Sequence, residues 1–192
     1  MKKLYTLAIA AVLIFFSCSR PLGPVDYIGW VEDRDNGLKQ SHSTPNALYV
    51  LQYEPPAYKA LKTLSPSEVT RSRLRAEQEK YQEMHYFMLK VKPHNKPADN
   101  RKISKYLAYT LKDKLQFIRG QDTLDRTVMY HLESSAGVRP FYRILLAYPR
   151  KTGRDNLELI IRKNLLDDRR VHFTVEKSVL NGIPKIQTNK RR

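Results

Sequence analysis

Two kinds of side chain in this sequence could carry protons to and from a substrate: five histidines and a few closely spaced aspartates. The histidines are His42, His85, His94, His131 and His172. No two of them stand two to four residues apart, so none forms the local pair that a zinc site uses. Each is expected on the surface or on the face of a strand. His131 and His172 fall in strand-like segments and could meet on a wet face. Asp122 and Asp125 lie in or near a Gly120 hairpin loop, and Asp167-Asp168 precede a strand. Two carboxylates act as general acid and base when burial raises one pKa. Turn chemistry explains the same placements, because a turn aspartate accepts from nearby backbone N–H groups. Glu32-Asp33-Arg34-Asp35-Asn36-Gly37 has the composition of a calcium loop but the wrong register. Counted from Asp33, Leu38 stands where the loop needs Gly and Thr44 where it needs Glu. The run therefore reads as a helix end.

Catalytic signatures are missing from the sequence. There is no GxSxG elbow, no GxxxxGK[ST] loop, no GxGxxG and no HExxH. Cys18 is the single cysteine, which excludes an internal disulfide and a thiolate zinc cluster. No catalytic residue, metal ligand or cofactor site is assigned, and an enzyme is the less favoured class.

Charge is the broadest chemical feature. The 192 residues hold 35 Lys and Arg against 19 Asp and Glu, a formal net charge of +16. The basic residues are spread along the chain, as at Arg71 to Lys80, Lys90 to Lys105 and Arg150 to Arg154. With 41% hydrophobic residues and 12 Tyr, the chain has the apolar surface that a disordered protein lacks. Basic and aromatic residues together suit a nucleic-acid groove. They also suit anionic headgroups, lipopolysaccharide or acidic glycans.

The N-terminus chooses between these partners. Met1-Lys2-Lys3 is followed by the apolar run Leu4 to Phe16. As a helix this run spans about 20 Å, short of the roughly 30 Å hydrocarbon core. Residues 1–17 therefore read as a secretory signal peptide, with an uncut membrane helix as the other reading. Ser17-Cys18-Ser19 then resembles the bacterial lipoprotein signal, in which the cysteine is acylated and becomes the new N-terminus. Phe15 and Phe16 depart from the usual lipobox, which has Leu and a small residue there. Ordinary cleavage after Ser19 is the alternative. Two or three acyl chains on Cys18 would hold the protein stably on a bilayer. Export argues against nucleic acid as a partner and favours anionic envelope components or another envelope protein.

The elements that would position any site follow from local signals. Asp26 is expected to cap a short helix with Tyr27, Ile28, Trp30 and Val31 on its apolar face, stopped by Asn36-Gly37. Ala47 to Glu54 reads as a strand, with Tyr49, Leu51 and Tyr53 on one face. Pro56 to Thr63 reads as a turn or two of helix. Ser65-Pro66-Ser67-Glu68 is a capping box with Pro at N1, opening a helix to about Gln82. Tyr86 to Lys92 is a strand, and Asn100 opens a helix carrying Ile103, Leu107 and Leu111. An antiparallel meander follows: Leu115 to Arg119, Leu124 to Glu133, Phe141 to Tyr148, Leu157 to Arg162 and Val171 to Glu176.

The phrases YIGWVEDRDNGL (27–38), LQYEPPAYKAL (51–61), GQDTL (120–124) and IPKI (183–186) together resemble small cell-envelope lipoproteins of unknown function from Bacteroidetes-type Gram-negative bacteria. The resemblance implies a location and supplies no catalytic residues. In similar lipoproteins an acidic stretch just after the cysteine favours surface export. Here Ser19-Arg20 follow and the first acid is Asp26, which implies the periplasmic face of the outer membrane.

The fold expected is α+β, with an N-terminal signal and lipid anchor, helices mainly in the first half, and a C-terminal antiparallel sheet or sandwich. Its parts are a signal peptide (1–17), a lipidated cysteine and tether (18–25), one α+β domain (26–188) and a basic tail (189–192). The function expected is a membrane-anchored, non-enzymatic binding or assembly module. An envelope hydrolase using carboxylates or histidines is the alternative, and a basic nucleic-acid-binding protein the second alternative.

Overall fold

Burial on both faces decides which strands lie at the centre. The computed structural model describes residues 21–94, 100–124, 127–133, 141–150 and 155–188. Residues 1–17, read above as a signal peptide, Cys18, Asp125 and the tail 189–192 lie outside the described residues. Strands β2 (Ala47–Glu54) and β3 (Met84–Pro93) bury residues of both phases. Such strands need cover on both sides. They form the middle of a five-stranded antiparallel sheet with β1 (Lys39–Ser43), β6 (Met129–Glu133) and β7 (Tyr142–Pro149), in the order β1-β2-β3-β7-β6. A second antiparallel sheet has the order β5-β4-β8-β9, from β4 (Leu115–Arg119), β5 (Asp122–Leu124), β8 (Leu157–Ile161) and β9 (Val171–Val175).

The class is α+β, but the elements are not partitioned as expected. The helices are α1 (Pro24–Glu32), α2 (Pro56–Thr63), α3 (Arg71–Glu79), α4 (Asn100–Tyr109) and α5 (Lys177–Asn181). They are not gathered in the first half, since α4 and α5 come later. Nor is the sheet structure C-terminal, since β1, β2 and β3 all come from the first half. The larger sheet needs the β2–β3 pair as its doubly covered centre, and the late strands β7 and β6 add to its edge.

Three local expectations also change. Residues 124–133 do not make one strand: β5 pairs with β4 and β6 pairs with β7, so the chain crosses between sheets there. The Glu68 carboxylate does accept from the Ser65 N–H at 3.0 Å and the Ser65 hydroxyl at 2.8 Å. Yet it opens only a single 3-10 turn, Pro66–Glu68. The β-branched pair Val69-Thr70 is a poor helix continuation, and Thr70 becomes a fresh N-cap whose Oγ1 accepts from the Arg73 N–H. Finally, α1 begins at Pro24, with Asp26 inside its first turn rather than at the cap. Leu22, read as part of a tether, is pinned by a parallel bridge to Ile186.

The sheets face each other across a shared core. Phe117 of β4 stacks on Tyr148 of β7, with ring centroids 4.3 Å apart and an interplanar angle of 18°. Phe87 of β3 meets Phe117 edge-on at 5.6 Å. Such pairs add about 0.5–1.5 kcal/mol each beyond area burial. Along one side, Gln40 joins the sheets. Its pairing opposite Leu51 puts it on the core-facing side of the edge strand β1. There its amide donates to the Thr174 carbonyl and accepts from the Thr174 N–H of β9, also an edge strand. One side chain thus satisfies backbone groups that an open edge would leave for another chain. At the other side, the Tyr130 hydroxyl of β6 donates to the Leu107 carbonyl of α4.

The Gln40→Ala variant is expected to lose both bonds to Thr174 and about 1–2 kcal/mol of stability. Urea denaturation checks this: the midpoint should fall with the slope unchanged.

Candidate functional site

The phase of β3 puts His85 on the same face as Phe87, Leu89 and Val91, which is the core face. His85 is 5% exposed. It sits where β3 begins, opposite Tyr148 near the end of β7. Tyr53, near the end of β2, comes in beside it. Beyond β7 the Arg150 N–H donates to the Glu83 carbonyl at 2.8 Å, which fixes Arg150 at the same end of the sheet.

These three side chains form a chain of hydrogen bonds. Arg150 Nη2 donates to the Tyr53 hydroxyl at 2.6 Å. That hydroxyl lies 3.3 Å from His85 Nδ1. Burial pushes the His85 pKa down to about 3, and the positive charges of Arg150 and Arg119 push the same way. The imidazole is therefore neutral at ordinary pH. Burial raises the Tyr53 pKa, so the phenol keeps its proton. With Arg150 as donor, the arrangement that uses each group once has Tyr53 donating to Nδ1 and the imidazole proton on Nε2. Nε2 is buried and makes no hydrogen bond among the described residues.

Above this floor lies a cleft of about 1730 Å³. Helix α3 lines one side and residues 183–188 another. That C-terminal segment is held by the Leu22 N–H donating to the Lys185 carbonyl at 2.9 Å and the Gln187 N–H donating to the Leu22 carbonyl at 2.8 Å. Apolar contacts come from Leu74, Leu157, Leu180 and Ile183. Four cations, Arg71, Arg75, Arg150 and Lys185, line the cleft against two anions, Glu79 and Asp155. Arg75 is paired with Glu79 at 3.4 Å. Arg71, Arg150 and Lys185 form no ion pair with a carboxylate among the described residues.

The residues singled out by sequence lie elsewhere. His131 and His172 are exposed on different sheets, each pointing away from the shared core, and do not meet. His172 Nε2 is 2.8 Å from Glu158 Oε2. Asp122 is paired with Arg119 at 2.6 Å, and its candidate companion Asp125 lies outside the described residues. Asp167 accepts from the Arg169 N–H at 3.0 Å, as a turn aspartate does. Asp168 pairs with Lys163 at 2.8 Å. Asp33 accepts from the Asp35 N–H at 3.1 Å, closing a turn after α1. His42 is exposed on β1, and the Nε2 of His94 is 3.1 Å from the Thr44 carbonyl. No group of three or more metal-ligating side chains occurs among the described residues. No helix among them is long and apolar enough to cross a membrane. Cys18 lies outside them.

The structure puts His85 on a strand, on its buried face rather than at the surface, and brings in Arg150, which no motif marks. One signal was present. Alternation from Val91 back through Leu89 and Phe87 leads to His85 on the apolar phase.

No family model, curated protein or solved structure matches the chain. Chemical reading therefore rests on the geometry. A general base works best with a pKa near the operating pH, and His85 at about 3 is far from it. A neutral imidazole behind guanidinium groups that form no ion pair with a carboxylate among the described residues suits an oxyanion ligand better than proton transfer.

His85 also makes stability pH-dependent. Its pKa is about 3 in the folded chain against 6.5 ordinarily, so the unfolded chain binds more protons between these values. Stability should rise with pH through that window and be lost on acidification. Between pH 7.5 and 5 the stability advantage of the wild type over His85→Phe should shrink by about 2 kcal/mol. Urea denaturation of both at the two pH values measures it; an unchanged difference would exclude a buried neutral His85.

Proposed function

We propose that this chain is a lipid-anchored binding module of the cell envelope. Cys18 carries the acyl chains, and the protein stands on the periplasmic face of the outer membrane. It holds its ligand in the cleft above Tyr53, His85 and Arg150 without turning it over. The observation that carries the reading is the cleft itself, lined by apolar side chains and by Arg71, Arg150 and Lys185, which form no ion pair among the described residues. Binding pockets combine apolar lining with a few convergent polar groups in this way. Pro21 also lines the cleft, three residues after Cys18, so the anchor and the binding surface are neighbours. The basic surface supports the same reading, since exported basic proteins meet anionic envelope components. The hydrolase alternative is weakened, because His131, His172 and Asp122 sit apart and none lines the cleft.

The test is the intact mass of the protein recovered from membranes, wild type beside Cys18→Ser. A chain starting at Cys18 with two or three acyl groups is expected, and the variant should lose them. An unmodified chain starting at Met1 would overturn the anchor and turn attention to nucleic acid.

A further inference from the structure

Several features of the cleft have no role within the fold. Arg150 spends one Nη2 hydrogen bond on Tyr53, a neutral acceptor. A guanidinium has five N–H donors in a planar fork, so most of its donor capacity is left over. Arg71 and Lys185 line the same cleft and likewise form no ion pair with a carboxylate among the described residues. These three cations line one cleft, and the opposing charge from its lining is limited to Asp155 and the paired Glu79. Beside them stand half-buried apolar side chains, Leu180 from α5 with Ile183 and Ile186 beyond it, while Leu74 and Leu157 lie almost fully buried at the base. A small hydrophilic anion would use the cations and leave the walls wet. A neutral lipid would cover the walls and leave the cations unmatched.

We propose that the cleft binds a phosphate-bearing amphiphile, with the phosphate on Arg150, Arg71 and Lys185 and the hydrocarbon chain along Leu180, Ile183 and Ile186. Three cations match a group that can carry two negative charges better than they match a single carboxylate. The volume of about 1730 Å³ exceeds the 300–1,000 Å³ usual for small-molecule pockets, which suits a chain-bearing ligand. Tyr53 and His85 act as positioning residues, holding the guanidinium of Arg150 toward the cleft from the core side. The source of the ligand rests on the proposed anchor. Three extended residues reach about 10 Å, so a chain acylated at Cys18 would keep Pro21 and the cleft at the bilayer surface.

The full chain in dodecyl maltoside, labelled with 15N-arginine, is titrated with decyl phosphate, inorganic phosphate and decanol, following the arginine Nε–H signals. Decyl phosphate should saturate and shift the Arg150 signal, identified by its absence in Arg150→Gln. Losing a charge-assisted bond should weaken binding about tenfold or more in Arg150→Gln. The double variant Arg71→Gln/Lys185→Gln should weaken it comparably and serves if Arg150→Gln fails to fold. Inorganic phosphate and decanol should each bind about tenfold or more weakly than decyl phosphate. Equal binding of inorganic phosphate would mean a plain oxyanion site, and equal binding of decanol a plain apolar one. Either overturns the proposal, as does an Arg150 signal that does not move. The Cys18→Ser chain should bind decyl phosphate equally well. Binding by that variant alone would identify the protein's own acyl chains as the occupant and overturn the proposal. Undiminished binding by a wild-type chain whose mass shows no acylation would remove the anchor and leave the cleft assignment standing.

Discussion

The stacked contact between Phe117 and Tyr148 is the hinge of the whole arrangement. It lies between the two sheets, and Phe87 closes on the same Phe117 ring from β3. These three rings give the sheets directional contacts, within a core that also buries Tyr49, Tyr53 and Phe173. The rings set the spacing and fix which ends of the strands meet. Gln40 then joins one pair of edges with two hydrogen bonds to Thr174. The aromatic cluster brings the sheets together, and the amide defines how they are aligned along one side.

The candidate site is a by-product of where that cluster ends. Tyr53 and His85 continue it by ring contacts, Tyr53 to Phe87 at 5.3 Å and His85 to Phe117 at 6.0 Å. Both rings carry polar atoms, and both stand at strand ends where the core opens. Arg150 follows directly after β7 and supplies the donor that Tyr53 needs. The polar atoms at the rim of an aromatic core thus become the floor of a cleft. The same placement makes His85 a poor base, since the environment that buries it holds it neutral and lowers its pKa. Binding rather than proton transfer is the chemistry this environment favours.

Charge has a different distribution from the core. Surface cations on α3 are partly neutralised within the helix, as in Arg75 with Glu79. Such exposed pairs add little to stability. What matters is where pairing stops. Arg71, Arg150 and Lys185 come from three separate parts of the sequence and converge on one cleft. A formal charge of +16 says that cations are in excess. It does not say which of them will share a pocket.

Much of the local structure was legible. The strands at 47–54 and 115–119 occur where alternation puts them, and the helix from Asn100 carries Ile103 and Leu107 as expected but ends at Tyr109, leaving Leu111 to a 3-10 turn. The capping box at Ser65 was legible as chemistry but not as length, because a cap opens a helix without deciding how far the next residues extend it. The split of residues 124–133 between two sheets was not legible, since period-two alternation is the same whichever partner a strand finds. The α+β class, the excess of positive charge, the lone cysteine behind an apolar run and the apolar phase that includes His85 were all determined by the sequence alone. These depend on composition and on neighbours a few residues away. The pairing of β7 with β3, the burial of His85 and the placing of Arg71, Arg150 and Lys185 around one cleft were decided only by the tertiary structure. Each joins residues far apart in the chain, and only packing of the whole core brings them within reach.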